Sequence, residues 1–139
     1  IWNEIFKNRY DDMKKLYNYV VPRPFNGYNI PIAIQSTYLR DYCRKKKFIF
    51  SLPVPELTKS NSYVMLSSLI DGKKVKNFGL VSGFVLPVYD LNKIRKLLKN
   101  VNKNSKFHLI LENNIFNKKQ LLDWAKSINL VNLINSNYN

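Results

Sequence analysis

Apolar positions recur in this chain with two periods, and the alternation between them sets out its elements. "IWNEIFKNRYDDMKKLY" (1–17) places Trp2, Ile5, Phe6, Tyr10 and Met13 at helical spacing opposite a charged face. It reads as an amphipathic helical extension over 1–16, able to dock on the domain or on a protein partner. "LYNYVVP" (16–22) is rich in aromatic and β-branched residues and predicts a first strand. A loop over 22–30 follows, then a helix over 31–46. Pro31 suits its first turn, where a missing N–H costs nothing, and Asn29 is the expected cap. Ile34, Tyr38, Leu39 and Tyr42 make the expected buried stripe. "RKKK" (44–47) complements the helix dipole at the far end.

"KFIFSLPV" (47–54) predicts strand two, stopped by Pro53 and Pro55. Asn61 or Ser62 caps a helix through "SYVMLSSLI" to Gly72, a suitable C-terminal glycine. "FGLVSGFVLP" (78–87) is a continuous apolar run and predicts a strand covered on both faces. Asp90 caps a helix with Leu91, Ile94, Leu97, Leu98 and Val101 inward. "FHLILE" (107–112) predicts strand four, and Asn117 caps "KKQLLDWAKSI". The Asn-rich end, 131–139, reads as frayed. The order β-α-β-α-β-α-β-α over 17–130 implies a single small α/β domain. It predicts a doubly wound, Rossmann-like, four-stranded parallel sheet with right-handed crossovers and flanking helices.

Size and charge refine this picture. With 139 residues and 45% hydrophobic content the chain can build one core. No window of 18 apolar residues occurs, so no membrane span is expected. Glu4, Asp11 and Asp12 interrupt any secretory h-region, and one cysteine, Cys43, makes no internal disulfide. Both point to a cytoplasmic setting. The chain opens on Ile1 rather than Met, which reads as a trimmed piece. Twenty-three Lys and Arg against nine Asp and Glu give a formal charge of +14. That charge favours an acidic partner, RNA among them. A bias toward Lys, Asn, Ile, Tyr and Phe explains it more directly, because only five of the cations are Arg, the better phosphate and base reader.

In such sheets ligands meet the loops beyond the carboxyl ends of the strands, here 22–30, 53–61, 83–90 and 112–117. Asn26-Gly27 predicts a sharp turn, and Pro22, Pro24 and Pro31 stiffen the first loop. Arg23 in that loop is placed to hold a carboxylate or phosphate bidentately, or to seal the domain against Asp41 or Glu112. Gln35, one turn beyond Pro31, faces the loop or solvent. Glu112 is the best-placed lone carboxylate. Tyr63 and Ser62 open the second helix near the same rim. Cys43 reads as a core filler and His108, inside an apolar strand, as a satisfied core histidine. The P-loop, G-x-G-x-x-G, C-x-x-C, H-E-x-x-H and G-x-S-x-G patterns are all missing, so neither a cofactor nor a metal is expected.

The segments "YVVPRPFNGYNIPIAIQSTYLRDYC", "LPVPELTKSNSYVMLSSLI", "GLVSGFVLP" and "FHLILE", in this order, resemble the sporadic carbohydrate cluster protein family. Those are small bacterial proteins encoded among surface-glycan genes. The resemblance spans about residues 17–127. It implies a role in surface-carbohydrate biosynthesis without naming a reaction. Its pattern marks Arg23, Pro24, Phe25, Gly27, Gln35, Arg40, Asp41, Tyr42, Cys43, Tyr63 and Glu112. The expectation that follows is a site at loop 22–30 for an anionic sugar, a nucleotide sugar or a partner enzyme. Arg23 would hold the anion, with Phe25, Gly27, Arg40 and Tyr63 around it, while Gln35 and Glu112 orient hydroxyls. In an enzyme, Glu112 or Asp41 would be the base. A fainter likeness to the serine recombinase catalytic domain lies in Q-x-x-x-L-x-x-Y-C. Val21-Pro22-Arg23 carries no serine there, so that chemistry is not implied. The rival expectations are a basic ribonucleoprotein component and a non-catalytic scaffold docking through helix 1–17.

Overall fold

A computed structural model describes residues 14–59, 61–72 and 74–138. The expected helical extension lies outside them, apart from the residues that open the first strand. The sheet is built from β1 (Lys15–Val20), β2 (Ile49–Phe50), β3 (Val54–Pro55), β4 (Asn77–Leu80), β5 (Lys106–Leu109) and β6 (Asn114–Asn117). The helices are α1 (Ile32–Lys46), α2 (Val64–Gly72), α3 (Leu91–Leu98) and α4 (Lys118–Tyr138). The spatial order is β2, β1, β4, β5, β6, with β3 continuing β2 along the same side of β1. Every pairing is parallel except β5 with β6. The chain is therefore a doubly wound α/β domain with a mostly parallel sheet.

Three departures from the expected strands have physical causes. The second strand is broken into β2 and β3 at Ser51-Leu52-Pro53, because Pro53 has no N–H for the ladder. Buried Asn18 spans the break, its Nδ2 donating to the Ser51 carbonyl at 2.9 Å. The run 78–87 stops as strand at Leu80 and coils into a short 3-10 turn, Gly83–Val85, that stays buried with the core. The expected loop 112–117 instead returns as β6, antiparallel to β5, after a turn that holds Asn113 at φ 52°.

The core fills both faces of the central strands. Phe78 and Phe107, neighbours on β4 and β5, stack at 4.7 Å with leucines 66, 80, 98 and 121 in the same cluster. Gly79 leaves room for Asn18 and Leu16, since a Cβ there would lie 2.3 Å from Asn18 Oδ1. On α1 the buried stripe is Gln35, Leu39 and Cys43, a strict i, i+4, i+8 line. Ile34 and Tyr38, expected inside, are 48% and 45% exposed. Gln35 turns inward to satisfy main-chain groups, and that rotation carries its neighbours outward. Pro31 occupies the cap position without a side-chain cap, and Lys47 ends the helix at φ 61° where glycine is usual. Asp90 caps α3 through Lys93 N at 3.2 Å, as its position predicts. Asn117 and Gln120 bond each other's main-chain N–H at 2.9 Å, a reciprocal box that starts α4. α4 runs on to Tyr138 rather than fraying at 131, with Leu130, Val131, Leu133 and Ile134 exposed along it. Among the described residues no helix is long and apolar enough to cross a membrane.

Candidate functional site

The sheet order places β1 and β4 side by side while their following helices lead to opposite sides of β1. This is a topological switch point, where the exit loops diverge and leave a crevice at the carboxyl edge. Each of three loops at that edge is pinned by one buried or half-buried polar side chain.

Gln35 pins the exit of β1. Fully buried, it accepts from Val21 N at 3.2 Å and donates to the Val21 and Ile30 carbonyls, each at 2.7 Å. Its amide is thus committed to the main chain of loop 22–30 rather than turned to a ligand. Within the loop, Phe25 and Tyr28 exchange main-chain hydrogen bonds at 3.0 and 2.9 Å. Asn26 at φ 49° and Gly27 at φ 79° fill the two central positions of a primed turn. Phe25 is buried and anchors the hairpin in the core, leaving Tyr28 exposed.

Glu56, which the sequence reading passed over, pins the exit of β3. Only 4% exposed, its carboxylate receives five donors. Tyr19 Oη lies at 2.8 Å and Leu66 N at 3.3 Å from Oε1. Leu57 N, Ser62 Oγ and Met65 N lie at 2.9, 3.0 and 3.1 Å from Oε2. Two of those N–H groups belong to the first turn of α2, so Glu56 caps it from outside the helix, while Ser62 Oγ, the expected cap, lies 3.5 Å from Val64 N. Burial alone raises the carboxyl's proton affinity. The Leu57, Met65 and Leu66 N–H groups and the Tyr19 hydroxyl outweigh it, holding the group ionised below the usual carboxylate range. The same burial and the neighbouring carboxylate push the Tyr19 phenol far up.

Arg23 leans toward this cluster. Its Nη1 donates to the Ser62 carbonyl at 2.7 Å, and its guanidinium lies 4.5 Å above the Tyr63 ring. Nη2 is buried without a hydrogen-bond partner among the described residues.

Glu112 pins the exit of β4. Its Oε1 accepts from Ser82 Oγ at 2.9 Å and from Gly83 N. Gly83 sits directly under Trp124, whose ring a Cβ would meet at 2.5 Å. Phe84 packs between Trp124 and Tyr89, with ring centroids 5.1 and 5.8 Å away. Tyr89 then donates to Asn26 Oδ1 at 3.0 Å, tying the β4 loop to the β1 hairpin across the crevice.

The structure therefore brings Arg23 and Tyr63 together and puts Arg23 and Glu112 on the same sheet edge, with different partners. Arg23 turns toward α2 and Glu112 toward β4, and no described hydrogen bond joins them. Asp41 lies about 14 Å along α1 from its start, exposed and 3.8 Å from Arg44. It is not at the rim. Arg40 lies over Phe50, 5.0 Å from its ring, at the β2 side of α1.

Two remaining titratable groups are enclosed. Burial pushes the Cys43 thiol up to about 11, so it stays protonated. Buried His108 lies between Tyr42 Oη at 2.6 Å from Nδ1 and Asn77 Oδ1 at 2.9 Å from Nε2. Asn77 Oδ1 only accepts, so Nε2 carries the proton and Nδ1 receives the Tyr42 hydroxyl. Burial, with Lys106 and Lys14 nearby, lowers its pKa to about 4. Among the described residues no group of three or more His, Cys, Asp or Glu is arranged to hold a metal ion.

A groove of about 330 Å³ opens beside the rim, between α2 and α3. Tyr63 and Pro87 stand at the end that faces the carboxyl edge; Ser67, Asp71, Lys93 and Lys96 line its length. It combines an aromatic ring, two cations and hydroxyl or carboxylate partners for alcohol groups. No protein-family model, curated protein or solved structure matches the chain.

Proposed function

We propose that the protein binds an anionic sugar, either a sugar phosphate or a nucleotide sugar, in the groove between α2 and α3, in the service of surface-carbohydrate biosynthesis. The groove itself carries the reading. Its 330 Å³ falls in the range of small-ligand sites. Lys93 and Lys96, one turn apart on α3, supply charge for a phosphate. Tyr63, held under Arg23, offers a ring face for a sugar, and Ser67 and Asp71 offer partners for its hydroxyls. The family resemblance supplies the pathway. Arg23 acts indirectly, by fixing Tyr63. The rim carboxylates Glu56 and Glu112 are engaged by main-chain donors, which favours binding over acid–base chemistry.

A calorimetric titration against uridine-, guanosine- and cytidine-linked sugars and free sugar phosphates tests the reading. Binding of at least one in the micromolar range, weakened tenfold or more by Lys93→Gln/Lys96→Gln, is expected. Both lysines are exposed, so the fold is retained. Absence of heat with every compound, or binding that ignores the double substitution, refutes it.

A further inference from the structure

A second cavity, larger than the groove between α2 and α3, lies at the opposite, amino edge of the sheet and has about 1290 Å³. Three separate segments deliver its cations: Lys14 and Lys15 at the start of β1, Lys74 and Lys76 before β4, and Lys106 at the start of β5. Among the described residues Asp71 is the one acid in its lining, and Asn100 Nδ2 donates to it at 3.2 Å. All five lysines are exposed. Their field reaches inward, because Lys106 and Lys14 help keep His108 neutral. Half-buried Tyr17 adds an aromatic ring to the lining, and the exposed residues Asn102 and Asn104 add amides.

Compositional bias alone would scatter lysines over all solvated faces. Five around one concavity, against a single acid among the described residues, is a concentrated positive site. Its volume exceeds the roughly 300–1,000 Å³ of small-molecule pockets, which suits a segment of polymer. Lysine contributes point charges for successive phosphates and lacks the planar fork that reads base edges. From this we infer that the amino-edge cavity binds single-stranded nucleic acid, through its phosphates and without sequence preference. Five phosphate contacts on a single strand give a salt slope near −3.5, which is about a 100-fold loss of affinity between 50 and 200 mM salt.

Fluorescence anisotropy of labelled twelve-nucleotide oligouridine and oligothymidine, titrated with the full chain at both salt concentrations, tests the inference. The expected result is similar binding of both, with that salt dependence. Lys74→Gln/Lys76→Gln/Lys106→Gln should weaken binding at least tenfold and lower the slope by about 2. Arg95→Gln/Lys119→Gln/Lys126→Gln removes equal charge from exposed positions outside the cavity and should change affinity less than twofold. Three outcomes overturn the inference. One is no binding at 50 mM. Another is equal loss in the two triple variants, which would mean diffuse charge. The third is competition by polyglutamate of the same length as effective as that by oligouridine, which would mean an acidic-protein surface.

Discussion

Replacing Glu56 by glutamine exchanges one carboxylate oxygen for an NH2 group and removes a buried charge at the start of α2. If the amide nitrogen takes the Oε1 position, the Tyr19 hydroxyl can reverse and accept from it, but Leu66 N, at 3.3 Å, loses its partner. If it takes the Oε2 position, Leu57 N and Met65 N both lose theirs. At least one buried or two half-buried main-chain donors are orphaned, at about 1–3 kcal/mol, and the remaining bonds lose their charge assistance. The sum is about 3 kcal/mol. For 139 residues the unfolding entropy near the midpoint makes each kcal/mol worth about 3–4 °C, so Tm should fall by roughly 10 °C. Acid response provides a second readout. The folded carboxyl titrates below its ordinary value of 4.5, so the unfolded chain takes up the proton first as pH falls. The stabilisation is fully present above about pH 4.5 and is lost as pH drops through the folded value. Differential scanning calorimetry at pH 7 and in steps below pH 5 would show the midpoints of wild type and Glu56→Gln converging in acid. A variant melting within 2 °C of wild type at pH 7 would refute the assignment of Glu56 as the cap of α2.

His108 supplies an acid-linked prediction at a higher pH. Its folded value of about 4 lies below the ordinary 6.5, so unfolding takes up a proton between those limits and wild-type stability should decline from about pH 6.5 to 4. The full span is on the order of 3 kcal/mol, and chemical denaturation of His108→Gln against pH should lack that slope. Gly79→Ala should cost about 3 kcal/mol in urea melts, because the new methyl overlaps Asn18 Oδ1 and Leu16. Asn18→Ala in the same chain should recover part of the loss; no recovery would put the clash elsewhere.

Much of the fold was legible in local chemistry. Asn26-Gly27 announces a primed turn because few residues other than asparagine and glycine accept positive φ. Asp90 and Asn117 announce helix starts because their short side chains reach the N–H groups of the next turn. The carboxyl-edge placement of Arg23, Tyr63 and Glu112 followed from the strand–helix alternation alone. What escaped depends on distant partners. Glu56 sits in "PVPEL", which reads as loop, and one of its donors is Tyr19, 37 residues earlier. The available signal was an acid lodged in the short loop just ahead of a helix start. Gln35 looked like a surface residue because nothing local shows that Val21 and Ile30 leave main-chain groups unpaired. β6 hid in "NIFN", where two asparagines mask a strand held by pairing with β5. The groove between α2 and α3 arises from side chains about thirty residues apart, and spacing along the chain does not register it.

Mapping amide shifts in 1H–15N spectra during titration with nucleotide sugars and sugar phosphates bears most directly on the proposed site. The expected perturbations fall on residues 63–71 and 87–97, with smaller ones in loop 22–30 through Arg23 and Tyr63. Shifts confined to the amino edge around Lys15, Lys76 and Lys106, or a spectrum that no sugar anion moves, would contradict it.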